Sequence, residues 1–226
     1  MRREKLILES SILGRSFHAD VFSSDRAPEA TVLLFGGSGV DRKEYERRAK
    51  SINPTFDPAF KALESDSAFL LFFVTAPYDV PFADFEDFPE EAERWNQHVA
   101  QDLLCLRPQL PFYLIGYSGG MALALNGLQE HPRCIGVGGL GADGFPGDPN
   151  EGERWGEPIR LYYNRADPVL ERNRAVIDRL EGSGMAGCWR QQTAGHELRD
   201  YVANGSFSGL IRRAAVISQR RSPSEG

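Results

Sequence analysis

The sequence predicts an α/β fold: a mostly parallel sheet covered by helices on both faces and entered through an antiparallel hairpin. Three observations carry this. From Thr31 onward, strand-like apolar runs alternate with helix-like segments, as a parallel sheet wrapped by helices requires. Before that, two β-like stretches, Lys5 to Leu13 and Ser16 to Ser23, are separated only by Gly14-Arg15, which reads as a hairpin turn. Finally, 226 residues with 41% apolar content suffice for one sizeable core but not comfortably for two. One domain over residues 1–217 is expected, with a polar tail from Ser218 to Gly226 that has nothing to bury and is expected to be disordered.

The elements follow in order. Thr31 to Phe35 is a continuous β-branched and aromatic run that breaks at Gly36-Gly37-Ser38-Gly39, and a charged helical pattern extends from Arg42 to Ser51. Ala68 to Thr75 is the next buried strand. Pro89 opens a helix with Glu90 and Glu91 in its first turn and Ala92, Trp95, Val99, Leu103 and Leu106 along one face, ended by Pro108. Phe112 to Ile115 is a strand, Gly119 to Glu130 a helix, and Ile135 to Leu140 a strand rich in small residues that allow close helix packing. After a loop come a strand at Ile159 to Tyr163, a helix from Pro168 to Glu181 closed by Gly182, a last strand at Cys188 to Gln192 and an amphipathic helix at Leu210 to Ile217.

Composition excludes several function classes. The formal net charge is −6, and the basic pairs Arg2-Arg3, Arg212-Arg213 and Arg220-Arg221 are isolated, so a nucleic-acid partner is not expected. No apolar run is long enough to span a bilayer, and Met1 to Ser11 lacks the apolar stretch of a secretory signal; the expected location is the cytoplasm. Cys105, Cys134 and Cys188 are widely spaced and odd in number, which reads as buried free thiols rather than a disulfide framework or metal site.

The chemistry-bearing motif is Gly116-Tyr117-Ser118-Gly119-Gly120, which fits G-x-S-x-G. With 23 glycines in the chain the bare pattern is a weak signal; its position, where a strand must turn sharply into a helix, gives it meaning. The small neighbours permit the strained serine conformation that holds a hydroxyl out over the sheet.

Such a serine needs a base and a group to orient it. The chain has four histidines. His196, in a loop after the last strand, is best placed to reach Ser118. His18 lies in the hairpin, His98 sits mid-helix beside an apolar stripe, and His131 precedes Pro132 at a helix end, where capping accounts for it. The acid should come from a strand end between Ser118 and His196. Asp167 in Asn164-Arg165-Ala166-Asp167-Pro168 fits and is the preferred choice, with capping of the helix that Pro168 begins as its competing structural explanation. Asp143 in Gly141-Ala142-Asp143-Gly144 is the substitute, with a turn aspartate as its plain reading.

Acyl transfer also needs backbone donors for the oxyanion, each contributing roughly a hundredfold or more. Gly119 would supply one amide, and Gly37 or Ser38 in the loop after Phe35 the other. That loop lacks the Gly-Lys-Ser or Gly-Lys-Thr ending of a nucleotide P-loop and the third glycine of a dinucleotide fingerprint.

With these residues in place the chain resembles the α/β-hydrolase family: hairpin entry, glycine-rich oxyanion loop, nucleophile elbow, then acid and histidine in the order Ser118, Asp167, His196. The resemblance covers nearly the whole chain. It implies a mostly parallel eight-stranded sheet and a two-step acyl transfer through an acyl-enzyme on Ser118, with no cofactor and no metal. One departure is Phe35 where a histidine often opens the oxyanion segment. Another is the short stretch between Leu140 and Ile159, where many members insert a cap; an open, capless site is expected.

The resulting expectation is a serine hydrolase acting on small-molecule carboxylic esters or thioesters. Tyr117, Tyr78 and Phe82, with Phe85 and Phe88, either wall an apolar acyl pocket or face the core. An amidase, peptidase or acyltransferase would use the same groups. A non-catalytic binding protein that keeps the elbow for packing is the alternative from another class.

Overall fold

The computed structural model describes residues 2–12, 14–36, 69–74, 97–125, 131–143, 159–191 and 195–221. Eight strands form one sheet: β1 (Arg2–Ser10), β2 (Arg15–Ser23), β3 (Ala30–Phe35), β4 (Phe69–Val74), β5 (Phe112–Tyr117), β6 (Cys134–Leu140), β7 (Ile159–Asn164) and β8 (Ala186–Gln191). Their spatial order is β1-β2-β4-β3-β5-β6-β7-β8. β1 pairs antiparallel with β2, β2 antiparallel with β4, and every other pair is parallel.

The central parallel strands β3 and β5 are apolar without alternation because both faces are covered, whereas the edge strand β8 is partly exposed. Every residue of β3 and β5 is buried. Register explains how one strand feeds two cores. Phe72, Leu33, Leu114 and Val137 line up across four strands and belong to one core, while Leu71, Val32 and Tyr113, one position back, belong to the other. The first core is closed by Val99, Leu103 and Leu104 and by α1 (Gly120–Ala124), α2 (Pro168–Arg172) and α3 (Arg174–Gly182). The second is closed by α4 (Leu198–Ala203) and α5 (Ser206–Arg221), through Tyr201, Phe207, Leu210, Ile211 and Ala214.

Several boundaries differ from expectation for identifiable reasons. The hairpin turn is not the dipeptide Gly14-Arg15: β1 starts at Arg2, Ser10 pairs with Arg15, and the chain reverses over four residues, with Gly14 at φ 63° donating its amide to Ser10 O at 2.9 Å. The predicted helix from Pro168 to Glu181 is two helices broken at Asn173. There the side-chain amide donates to Val169 O at 3.1 Å and to Asp143 Oδ1 at 2.9 Å, competing with the backbone ladder. The helix before β5 ends in a widened turn, with the Leu104 amide reaching back to Val99 O.

Helix α4 falls where no element was expected, and α5 runs to Arg221, four residues into the expected tail. Ser218 is buried, and its hydroxyl donates to Glu29 O at 2.9 Å, which anchors the helix end. The three thiols are free, but only Cys134 is buried; Cys188 is partly exposed and Cys105 is exposed. Cys105 sits on the outer side of the last turn before Pro108, its thiol turned to Asp102 O.

Among the described residues no helix is long and apolar enough to cross a membrane. The expected helix at Arg42 to Ser51, the start of the helix at Pro89, most of the stretch expected to be capless between β6 and β7, and residues 222–226 lie outside the described residues.

Candidate active site

The site is built at the carboxyl ends of β5, β6 and β7, where an open α/β sheet presents its loops. β5 runs straight into Ser118, which has φ 51° and is the one non-glycine residue with positive φ among the described residues. The turn is possible because its neighbours lack side chains. A Cβ on Gly116 would stand 2.7 Å from the Met121 amide nitrogen, and one on Gly120 2.6 Å from Gly36 O. The strained serine is held from both sides: its amide donates to Leu140 O at 3.1 Å, and its carbonyl accepts from the Met121 amide at 3.1 Å and the Asp143 amide at 3.0 Å.

Two residues 78 and 29 positions apart from their partners complete the arrangement. His196 Nε2 lies 2.9 Å from Ser118 Oγ, and His196 Nδ1 lies 2.8 Å from Asp167 Oδ2. Asp167 is buried, and its Oδ1 accepts from the Val169 amide at 2.9 Å. Helix capping and orientation of the histidine are therefore simultaneous functions of one carboxylate, one on each oxygen. Burial pushes the Asp167 pKa up, but hydrogen bonds from His196, Tyr201 and the Val169 amide outweigh it and hold the carboxyl below its ordinary range. An ionised Asp167 accepts only, so Nδ1 carries the proton and Nε2 is left to accept from the Ser118 hydroxyl.

The histidine loop is itself fastened. Tyr117 donates its hydroxyl to His196 O at 2.6 Å, and its ring stacks on the imidazole with centroids 5.5 Å apart at 28°. Asn164, at the end of β7, donates its side-chain amide to Gly195 O at 2.8 Å and accepts from Asn204 Nδ2 at 2.8 Å. Tyr117 is thus buried and engaged with the histidine. Gly141 supplies room: at φ 50°, a Cβ there would lie 2.7 Å from the Tyr201 hydroxyl, 2.8 Å from Asp167 Oδ2 and 3.0 Å from His196 Cε1.

The other candidates fall elsewhere. Asp143 bonds Arg172 and Asn173 through its carboxylate, and its link to Ser118 is through its amide. The imidazole of His131 accepts from the Arg133 amide at 3.1 Å, a local capping role. His98 is buried on the helical stretch before β5 and bonded to Asp102. His18 sits in β2 opposite Ile7. No carbonyl among the described residues accepts from the Gly119 amide, which follows the candidate nucleophile directly. Gly37 and Ser38 of the oxyanion loop, and Tyr78 and Phe82 of the acyl pocket, lie outside the described residues.

Sequence reasoning missed Tyr201, Asn164, Asn204 and Gly141. Tyr201 and Asn204 lie on or beside a six-residue helix too short to show a period, and Asn164 looks like any strand-end turn residue. The one available signal was Gly141, in a strand-end position where glycine marks close approach.

The eight-strand order, the elbow at Ser118 and the site at the strand ends define the α/β-hydrolase fold, the class that the motif spacing implied. The chain matches no family model and no curated protein at the sequence level. Solved structures share its fold. The enterobactin esterase FES from Shigella flexneri superposes with a TM-score of 0.66 at 17% identity over 97% of this chain and 59% of that one. The esterase domain of a Rhodothermus marinus protein gives 0.61 at 17% identity, covering 95% and 100%. An IroE-like serine hydrolase from Shewanella oneidensis gives 0.61 at 14% identity, covering 94% and 79%. The chain spans about 60% of the length of the enterobactin esterases it resembles.

Proposed function

We propose that the chain is a serine hydrolase that cleaves small-molecule carboxylic esters or thioesters. The observation that carries this reading is the unbroken hydrogen-bonded line from Ser118 Oγ through both imidazole nitrogens of His196 to Asp167 Oδ2. Fold neighbours described as esterases and as a serine hydrolase support it by analogy.

In the proposed reaction Ser118 Oγ attacks the acyl carbon as His196 Nε2 takes its proton. The tetrahedral oxyanion is stabilised by the Gly119 amide and by Gly37 or Ser38. His196 then returns the proton to the departing alcohol or thiol, leaving an ester on Ser118. Water deprotonated by His196 attacks that ester, and the acid leaves as Ser118 regains its proton. Asp167 stays ionised throughout, keeping the tautomer and compensating the transient imidazolium. Tyr78 and Phe82 are the proposed acyl-pocket walls.

The test is intact-mass measurement of wild type and Ser118→Ala after treatment with a fluorophosphonate, which demands an activated serine and little substrate recognition. One adduct on wild type and none on the variant is the expected result, followed by turnover of short-chain aryl esters. A wild type that neither labels nor turns over any ester would leave a non-catalytic binding protein as the reading.

A further inference from the structure

Tyr201 stands five positions after His196 on α4, with its side chain fully buried. Its hydroxyl oxygen accepts from the Asn164 amide at 3.3 Å, so the phenolic proton points elsewhere, and it is donated to Asp167 Oδ2. That is the same oxygen that receives Nδ1–H of His196, while Oδ1 receives the Val169 amide. The Asp167 carboxylate thus accepts from three donors, only one of which belongs to the proposed triad.

We infer that Tyr201 is a positioning residue for the proposed hydrolysis: its hydroxyl fixes the Asp167 rotamer and shares Oδ2 with His196, which limits how strongly the carboxylate pulls on Nδ1. This rests on the hydrolase reading of the site. The physical ground is that a carboxylate oxygen divided between two donors is a weaker acceptor for each. Burial, reinforced by the adjacent Asp167 carboxylate, raises the Tyr201 pKa far above its ordinary value, so the phenol remains a donor. The ionisable groups around Asp167 are His196 and Tyr201 in contact with it and Tyr163 on β7, whose own ionisation feels both Asp167 and Asp143. Gly141 leaves the opening in which Asp167, His196 and Tyr201 meet.

Tyr201→Phe keeps the ring and removes only the hydroxyl. Tyr163→Phe is the matched control, because Tyr163 is equally buried and donates to Ala142 O at 2.8 Å, not to the triad. Two readouts are compared: the pH dependence of ester turnover, and the downfield proton resonance of His196 Nδ1–H, which needs no turnover. Tyr201→Phe is expected to lower kcat by about tenfold with KM within about twofold, and to move the acid limb of the profile to higher pH. Its Nδ1–H resonance should move further downfield, while Tyr163→Phe leaves the limb and the resonance at their wild-type positions. Coincidence of Tyr201→Phe with wild type in both readouts would overturn the inference, as would equal displacement in Tyr163→Phe. Were Tyr201→Phe not to fold, 3-fluorotyrosine at position 201, a stronger donor of the same shape, must move the resonance upfield; an unmoved resonance refutes the role. An inactive, unlabelled wild type counts against the hydrolase reading alone, and the resonance still decides whether Tyr201 tunes the Asp167–His196 bond.

Discussion

Two clusters in this molecule contain the same three residue types. In one, His196 lies between Ser118 and Asp167; in the other, Asp102 lies between Ser10 and His98, its Oδ2 accepting from the Ser10 hydroxyl and contacting His98 Nδ1, both at 2.8 Å. The Ser10 hydroxyl donates its hydrogen bond to a carboxylate, whereas the Ser118 hydroxyl faces an imidazole nitrogen. Burial is inverted as well. Asp167 has no exposed side-chain surface while His196 is 28% exposed, whereas His98 is fully buried and Asp102 is 20% exposed. The first pair shields the carboxylate and leaves the imidazole accessible. The second buries the imidazole, and burial lowers the His98 pKa in spite of Asp102. On the proposed hydrolase reading, connectivity and burial, not residue content, separate the nucleophilic serine from the structural one. The Ser10 cluster ties the end of β1 to the helical stretch before β5, a packing duty.

The largest effect expected from breaking this comparison is on turnover. Ser118→Ala and His196→Ala should each lower kcat by about 10⁴-fold or more on an aryl ester, whereas Ser10→Ala should stay within about twofold of wild type. Comparable losses in both clusters would show that the distinction drawn from connectivity is wrong.

Replacing the two carboxylates should separate chemistry from stability. Asp167→Asn is expected to lower kcat by about 10³- to 10⁴-fold by permitting the wrong tautomer, and to weaken the cap on α2 by about 1 kcal/mol. Asp102→Asn should leave kcat nearly unchanged and lower stability by about 1–3 kcal/mol in urea denaturation, since it leaves a buried imidazole poorly paired.

The pH dependence of stability sharpens the comparison further. His98 has a folded-state pKa below its ordinary 6.5, so its contribution is complete above that value and is lost as pH falls through the folded pKa. Asp167 likewise has a folded pKa below its ordinary 3.8, so its contribution is present above that value and disappears only under stronger acid. Stabilities from urea denaturation measured from pH 7 downward should begin to fall below about 6.5 in wild type, with His98 adding at most about 1.4 kcal/mol per pH unit and His131, whose pKa is lowered by burial and by Arg133, adding to the same segment. His98→Gln should make that first segment shallower, leaving the part due to His131, and Asp167→Asn should leave it intact while reducing the slope below about pH 4, where Asp102 continues to contribute.

The smallest effect is reserved for Tyr117→Phe, which removes the hydrogen bond to His196 O but keeps the stacked ring. A fall in kcat of about two- to fivefold is expected, with fluorophosphonate labelling slowed by the same factor. An undiminished rate would mean that stacking and the Asn164–Gly195 bond alone hold the histidine loop.

Much of this was legible beforehand. Ser118, Asp167 and His196 follow from motif, strand-end position and chain order, and the parallel core from runs such as Thr31 to Phe35. What escaped notice shares one property: it depends on atoms brought together over long separations without a local pattern. The Tyr201 hydroxyl meets Asp167 across 34 positions, and Asn164 meets Asn204 across 40. The helix carrying Tyr201 has six residues, too few to show a period, and the break at Asn173 arises because Asp143 offers its amide side chain a partner from another strand end.

The sequence by itself determined the α/β class, the two-sided core and the elbow, because hydrophobic period and glycine sterics act within a few residues. What only the folded chain settles is that one Asp167 carboxylate caps α2 and contacts His196 at the same time, that Asp102 and not His98 is the middle group of the Ser10 cluster, and that Tyr201 backs Asp167. Hydrogen bonds are directional and effective only within about 3 Å, a distance that no spacing along the chain specifies.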